Sequence, residues 1–419
     1  MASANRKDDR RKKLKKGEGQ RDNGSYYFRW TAPDGSRQII YAKTLEDLRY
    51  KESNIEKDIL DGIKTEARNI TVNDLYDLWK SLKRGIKDNT FSNYKYLYES
   101  YVRQTVFGKK KVSSIKKTDV KKYYNYLIDE RGLKISTVDG IHNIIHQVFQ
   151  LAVDDDYIRK NPSDNVLKEM KRSQDYLTEK KKALTIDQQN LFLSYLKNST
   201  QYNHWYPIFA TMIGTGMRVG EIIGLRWCDV DMDGGTIDIN HTLVYYQHHP
   251  DDKNSKTGCY ATINSPKTKN SNRIIPVVGM VKEALMIEKR NQELRGVESV
   301  DVIDGYDDFI FLNRYGKTHR SNALNKAINR IIRDCNDKQL TENPDTDNLL
   351  PAFSCHTLRH TFTTRMCEAG VNVKVIQSIL GHKDITTTLN IYADVTKEMQ
   401  IKELSTLNSL FESKGLSIA

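Results

Sequence analysis

The run from His356 to Tyr392 constrains this 419-residue chain more than any other stretch. It reads His356-Thr-Leu-Arg359-His360, a Gly370 break, Leu380-Gly381-His382 and then Asn390-Ile391-Tyr392. Val371, Val375, Ile376, Ile379 and Leu380 have helical spacing, so one helix is expected to end near Gly370 and the next to start just after it. Thr386, Thr387 and Thr388 then open a short segment carrying Tyr392. Such a fold-back gathers a guanidinium, imidazoles and a phenol in one basic pocket. A phenol of pKa about 10 is a poor nucleophile alone. Facing a phosphate held by arginines it becomes a competent one, because the same cationic field favours the developing phenolate.

Length predicts two or three domains. The net charge of +12 favours a polyanionic partner, and half of it sits at the start: residues 1–16 hold eight Lys and Arg against two Asp, leaving +6. That tract is too poor in apolar residues for a signal peptide, and no run is long enough to cross a bilayer, so no membrane role is expected. Cys228, Cys259, Cys335, Cys355 and Cys367 are odd in number and scattered, without a CxxC pair. A reducing cytoplasm is the simpler expectation.

In chain order, residues 1–22 are expected to form a basic arm, disordered until a partner is met. Residues 23–64 predict a small sheet plus helix: β-rich runs at 25–30 and 37–41 flank the turn signal Ala32-Pro33-Asp34-Gly35, and a charged helix follows near Leu45–Ile59. A two-stranded ribbon is slim enough for a major groove, which makes Arg29 and Arg37 candidate DNA contacts. The alternate aromatics, Tyr27 among them, are assigned to a small core.

Residues 65–165 predict a compact domain of four amphipathic helices. Thr71 with Asp74 signals the first start, Thr118 is expected to cap a later helix, and Val138 to Ala152 mark the last. Its polar faces carry Lys95, Lys121 and Lys122, which are either solvated or in contact with phosphates. Residues 166–184 read as a second basic linker, whose Lys181 and Lys182 are candidate DNA contacts. Thr185 and Gln188 open a further domain over 185–395. Within it, an apolar helix at Pro207–Ile213 runs into Gly214-Thr-Gly216-Met-Arg218, and strands are expected at 236–244, 260–264 and 273–278. Residues 396–419 predict a tail helix with Ile401, Leu404, Leu407 and Phe411 on one face, an apolar stripe that can close over its own domain or dock on another copy.

At these positions the chain resembles the tyrosine recombinases. Arg218 with Glu221 and Leu225 looks like their first arginine motif, and Lys267 ahead of Arg273-Ile-Ile-Pro276 resembles their hairpin lysine. His356-x-x-Arg359, Leu380-Gly-His382 and Tyr392 follow in the family's order. The layout resembles the integrases of conjugative transposons and temperate phages. The resemblance implies a mostly α, multidomain α+β chain. It would comprise a small N-terminal sheet-plus-helix domain binding arm-type sites, a four-helix core-binding domain, and a mainly helical catalytic domain with a small antiparallel sheet. It further implies site-specific DNA recombination that excises and integrates a mobile element, without metal, ATP or other cofactor. The implied partners are double-stranded DNA and three further copies of the chain on two duplexes, with tail contacts in trans, and an excisionase and a host DNA-bending protein as accessory factors.

The implied roles make physical sense. Arg218 and Arg359 would grip the scissile phosphate, since only guanidinium offers a fixed fork of donors and a permanent charge. Tyr392 would attack in line, Lys267 would protonate the departing 5′-oxygen, His356 would manage the tyrosine proton, and His382 would donate a hydrogen bond to the phosphate. Bland readings stand beside these. Lys269 is an alternative to Lys267, His356 and His360 have the spacing of a metal face, and Glu221 and Asp229 are expected only to support basic neighbours. A DNA-binding regulator without chemistry and a resolvase of chromosome or plasmid dimers remain competing functions.

Overall fold

The computed structural model describes residues 6–32, 35–63, 69–173, 183–247, 258–264, 272–382, 384–386 and 388–389. The chain divides into two compact units, residues 1–177 and 178–419.

The first unit begins with an antiparallel sheet, β1 (Glu18–Gln20), β2 (Tyr26–Thr31) and β3 (Arg37–Ala42), followed by α1 (Leu45–Leu60). Strand alternation buries Tyr26 and Phe28 against Leu45, Leu48 and Ile55. Tyr27 and Arg29 therefore face outward, opposite Tyr41 and Ile39. This corrects the assignment of Tyr27 to the core. The expected disordered arm is also corrected. Residues 7–20 fold back on the sheet because their acids meet internal donors. The Tyr26 hydroxyl donates to Asp8 at 2.8 Å, and Arg49 donates to the fully buried Glu18 at 3.0 Å.

A helical bundle follows: α2 (Val72–Leu82), α3 (Asp88–Tyr101), α4 (Lys117–Asp129), α5 (Ile135–Asp154) and α6 (Val166–Ser173). The Thr71–Asp74 capping box starts α2 as expected. The start of α4 differs, since the Asp119 carboxylate, not Thr118, accepts the Lys116 backbone N–H at 2.9 Å. The linker expected from residue 166 begins with a packed helix instead. Val166 and Leu167 are buried in the bundle core, and Glu169 pairs with Lys117 and Lys121.

The second unit contains α7 (Ile186–Asn198), α8 (Tyr206–Thr215), α9 (Val219–Ile223), β4 (Val230–Asp231), β5 (Thr236–Ile239), β6 (Thr242–Gln247), β7 (Cys259–Asn264), β8 (Arg273–Pro276), α10 (Gly279–Arg295), α11 (Ser321–Glu342), α12 (Cys355–Glu368) and α13 (Val373–Leu380). All ten residues of α8 are buried, so it forms the axis on which α7, α10 and α12 pack. The single strand expected over 236–244 is two strands in different sheets: β4-β5-β8 and β6-β7. Asn240 and His241 separate them, with the buried His241 imidazole donating from Nε2 to the Gly224 carbonyl at 2.6 Å. Among the described residues no helix is long and apolar enough to cross a membrane.

Candidate active site

The site is assembled at the exit of α8. Gly216 closes that helix in the left-handed region, φ 62°, and turns the chain through the buried Met217 to Arg218. A Cβ at position 216 would sit 2.3 Å from Cδ1 of Phe362, so α12 packs against this turn at a distance only glycine allows. Arg218 caps α9. Its backbone N–H donates to Oε2 of Glu221 at 2.8 Å, while its Nη1 donates to Oε1 at 2.9 Å. Its side chain stays 42% exposed and can still meet a ligand.

Arg359 lies inside α12 and is only 4% exposed. Its Nη1 donates to the Gly216 carbonyl and its Nη2 to the Leu380 carbonyl, both at 2.7 Å. The guanidinium thus ties the end of α8 to the end of α13. Burial, and secondarily the charge of Arg218, lowers its pKa to about 9, which leaves it cationic at neutral pH. The Nη2 of Arg218 reaches the next carbonyl, Gly381, at 3.2 Å.

Arg273, in the sequence only a landmark after Lys267, belongs to the same cluster. It occupies a core-facing position of β8, where its neighbour on that face, Ile275, is buried. From there it donates twice to Glu221, at 3.1 and 2.8 Å, and from Nε to the Ile379 carbonyl at 2.6 Å. The signal was a cation in an inward strand register, which demands a buried acceptor. Burial alone would raise the pKa of Glu221; Arg273 foremost, then Arg218, holds it below the ordinary carboxylate range. Two guanidiniums, Arg218 and Arg273, therefore share one carboxylate, while the Arg359 guanidinium beside them bonds peptide oxygens, leaving the cluster with excess positive charge.

His382 follows directly on this helix end and bonds Thr388 Oγ1 through Nδ1 at 3.0 Å. Burial first, and then Arg359, Arg218 and Arg273, lowers its pKa to about 4, so it is neutral at pH 7. His356 is exposed on α12, one turn before His360, whose ring it meets edge to face at 4.6 Å. Asp229 pairs with Arg226 at 2.9 Å rather than with the site. Lys267 and Tyr392 lie outside the described residues, as do Lys181, Lys182 and the tail from Ile401 to Phe411.

The candidate DNA contacts divide. Arg29 and Arg37 are exposed on the outer face of the N-terminal sheet, where Arg29 lies 4.8 Å from the Tyr27 ring centroid. Lys122 is exposed, and Lys121 is held by Glu169. Lys95 corrects its expectation: it is 7% exposed, its ammonium 4.9 Å over the Phe91 ring, because α3 turns that position toward the bundle.

Residues 182–399 match the phage integrase family. Residues 2–59 match the DNA-binding domain of Tn916 integrase, and residues 80–159 an N-terminal SAM-like domain of phage integrases. The transposase of transposon Tn916 from Enterococcus faecalis is 31% identical over 419 residues, covering 97% of each chain. The ICEBs1 integrase of Bacillus subtilis is 23% identical across 95% of this chain and 99% of its own. The solved structure of Tn1549 integrase with transposon right-end DNA is 30% identical, with a TM-score of 0.67, over 81% of this chain and 100% of that one. A lambda integrase dimer on a core site shares the fold at TM-score 0.50 and 18% identity, over 90% of this chain and 95% of that one.

Proposed function

The chain belongs to the phage integrase family, and from that premise we propose how its residues carry out strand exchange. It is a tyrosine-type site-specific recombinase of the conjugative-transposon kind, serving excision and integration of such an element. Arg218 and Arg359 hold the non-bridging oxygens of the scissile phosphate and counter the charge added in the pentacoordinate transition state. The Tyr392 oxygen attacks phosphorus in line and displaces the 5′-oxygen, giving a 3′-phosphotyrosine and a free 5′-hydroxyl. Lys267 delivers the proton to the leaving oxygen, and His356 receives the phenol proton. His382 donates a hydrogen bond to a phosphate oxygen. The ester keeps the phosphodiester's energy, so the 5′-hydroxyl of a second strand can resolve it without ATP. Four copies act on two duplexes, with the segment after Val395 docking on a neighbouring copy. Arg29 and Arg37 contact DNA from the N-terminal sheet.

The observation that carries this reading is the convergence of Arg218, Arg359 and His382, distant in sequence, on the last turn of α13. The test uses a nicked suicide duplex carrying the end of the element that encodes the chain. Wild type should yield an SDS-stable protein–DNA adduct, and Tyr392→Phe none. An adduct persisting in the Phe variant would remove Tyr392 from the mechanism.

A further inference from the structure

Glu221 is asked to serve two cations of different standing. Arg218 has a side chain 42% exposed and open to a ligand, whereas Arg273 is buried, its side chain 4% exposed. The carboxylate is itself only 6% exposed, so it needs a cation at close range. Arg273 supplies one through both oxygens, and Arg218 then shares an acid that is already paired. Remove Arg273, and the whole charge of Glu221 falls on Arg218, the side chain needed for the substrate.

There is a mechanical side as well. Ile379, Leu380 and Gly381 present three successive carbonyls at the negative end of α13, and each is taken by a different arginine: Arg273, Arg359 and Arg218 respectively. These arginines come from β8, α12 and the start of α9. His382 is the next residue along. The strand that carries Arg273 also begins just after the segment that contains Lys267.

We propose that Arg273 is a positioning residue for strand cleavage: it neutralises Glu221 so that Arg218 keeps its charge for the phosphate, and it fixes the helix end that carries His382. This rests on the reading of Arg218, Arg359 and His382 as the phosphate site. A phosphodiester has one negative charge and its pentacoordinate transition state two. With Arg273 in place, three guanidiniums against one carboxylate leave two positive charges to meet them. Lysine is no substitute, because one ammonium cannot span two carboxylate oxygens and a carbonyl with a fixed fork.

The experiment is single-turnover adduct formation by the full chain on the nicked element-end duplex, with DNA affinity and thermal unfolding measured in parallel. Arg273→Met should slow the rate constant roughly 10- to 100-fold, as loss of a group that orients a reacting side chain does, with DNA affinity within about twofold of wild type. Adding Glu221→Gln should win back roughly tenfold, since the stranded acid is then gone. A purely structural role would lower the reacting fraction and leave the rate constant alone. That result, or no relief from Glu221→Gln, overturns the proposal. If Arg273→Met does not fold, Arg273→Lys decides: a rate constant equal to wild type refutes the role, and a loss of about tenfold upholds it. A wild-type chain that forms no Tyr392-dependent adduct would instead overturn the recombinase reading itself.

Discussion

Replacing Gly216 by alanine tests whether the turn between α8 and Arg218 sets the active-site geometry. Two penalties apply. An L-residue held at φ 62° costs about 1–2 kcal/mol. The added Cβ lies 2.3 Å from Cδ1 of Phe362 and 3.1 Å from Cδ2 of Leu380, so α12 or the Phe362 ring must move, at roughly 1–3 kcal/mol. The sum is about 2–5 kcal/mol, which corresponds to a fall in Tm of roughly 4–20 °C for a unit of this size. Gly235 provides the matched control, with φ 63° and nothing within 4 Å of its Cβ. Gly235→Ala should therefore show the backbone penalty alone, about 1–2 kcal/mol. The variants should also separate in function. The Gly216 carbonyl holds Arg359, so a displacement of about 1 Å should slow adduct formation by about 10²-fold, while Gly235→Ala reacts normally. Thermal unfolding and single-turnover cleavage of both variants give the answer. Equal melting temperatures, with Gly216→Ala cleaving as fast as wild type, would refute the reasoning.

Two further outcomes are expected. Glu288 of α10 is 5% exposed, and burial, only partly offset by Arg295, raises its pKa to about 7. The folded chain thus binds this proton more tightly than the unfolded chain, so its stabilisation is complete below the unfolded value of about 4.5 and is lost as pH rises through 7. Glu288→Gln should raise stability at pH 8 by up to about 3 kcal/mol and leave it unchanged at pH 4; a gain independent of pH would contradict the burial argument. Arg29→Ala and Arg37→Ala should each reduce the slope of log affinity against log salt by about 1, with the cleavage rate at saturating DNA unaltered. An unchanged slope would take that residue out of the DNA interface.

Local signals carried much of the fold. Thr71 with Asp74 and Thr185 with Gln188 announced their helices because a capping box is a short-range arrangement of donors and acceptors. The failures arose where distant partners override composition. Residues 7–20 look like a solvated charge run until Arg49, far along the chain, satisfies Glu18. The helix α6 hides among lysines, its burial resting on Val166 and Leu167. Lys95 looks like a surface cation, and only the packing of α3 shows it turned inward. In the site, the order of the motifs pointed to Arg218, Arg359 and His382, while the role of Arg273 needed the strand register and the position of Glu221.

The two hydrogen bonds described for the Arg359 guanidinium both end on peptide oxygens, at Gly216 and Leu380. No substitution at either position can delete such an acceptor, because every amino acid brings the same carbonyl. Mutational drift can therefore disarm this arginine from its surroundings only by bending the main chain. The weak points of the site then lie in the torsion angles around it as much as in its named side chains, and residues that never touch DNA become the ones on which its activity depends.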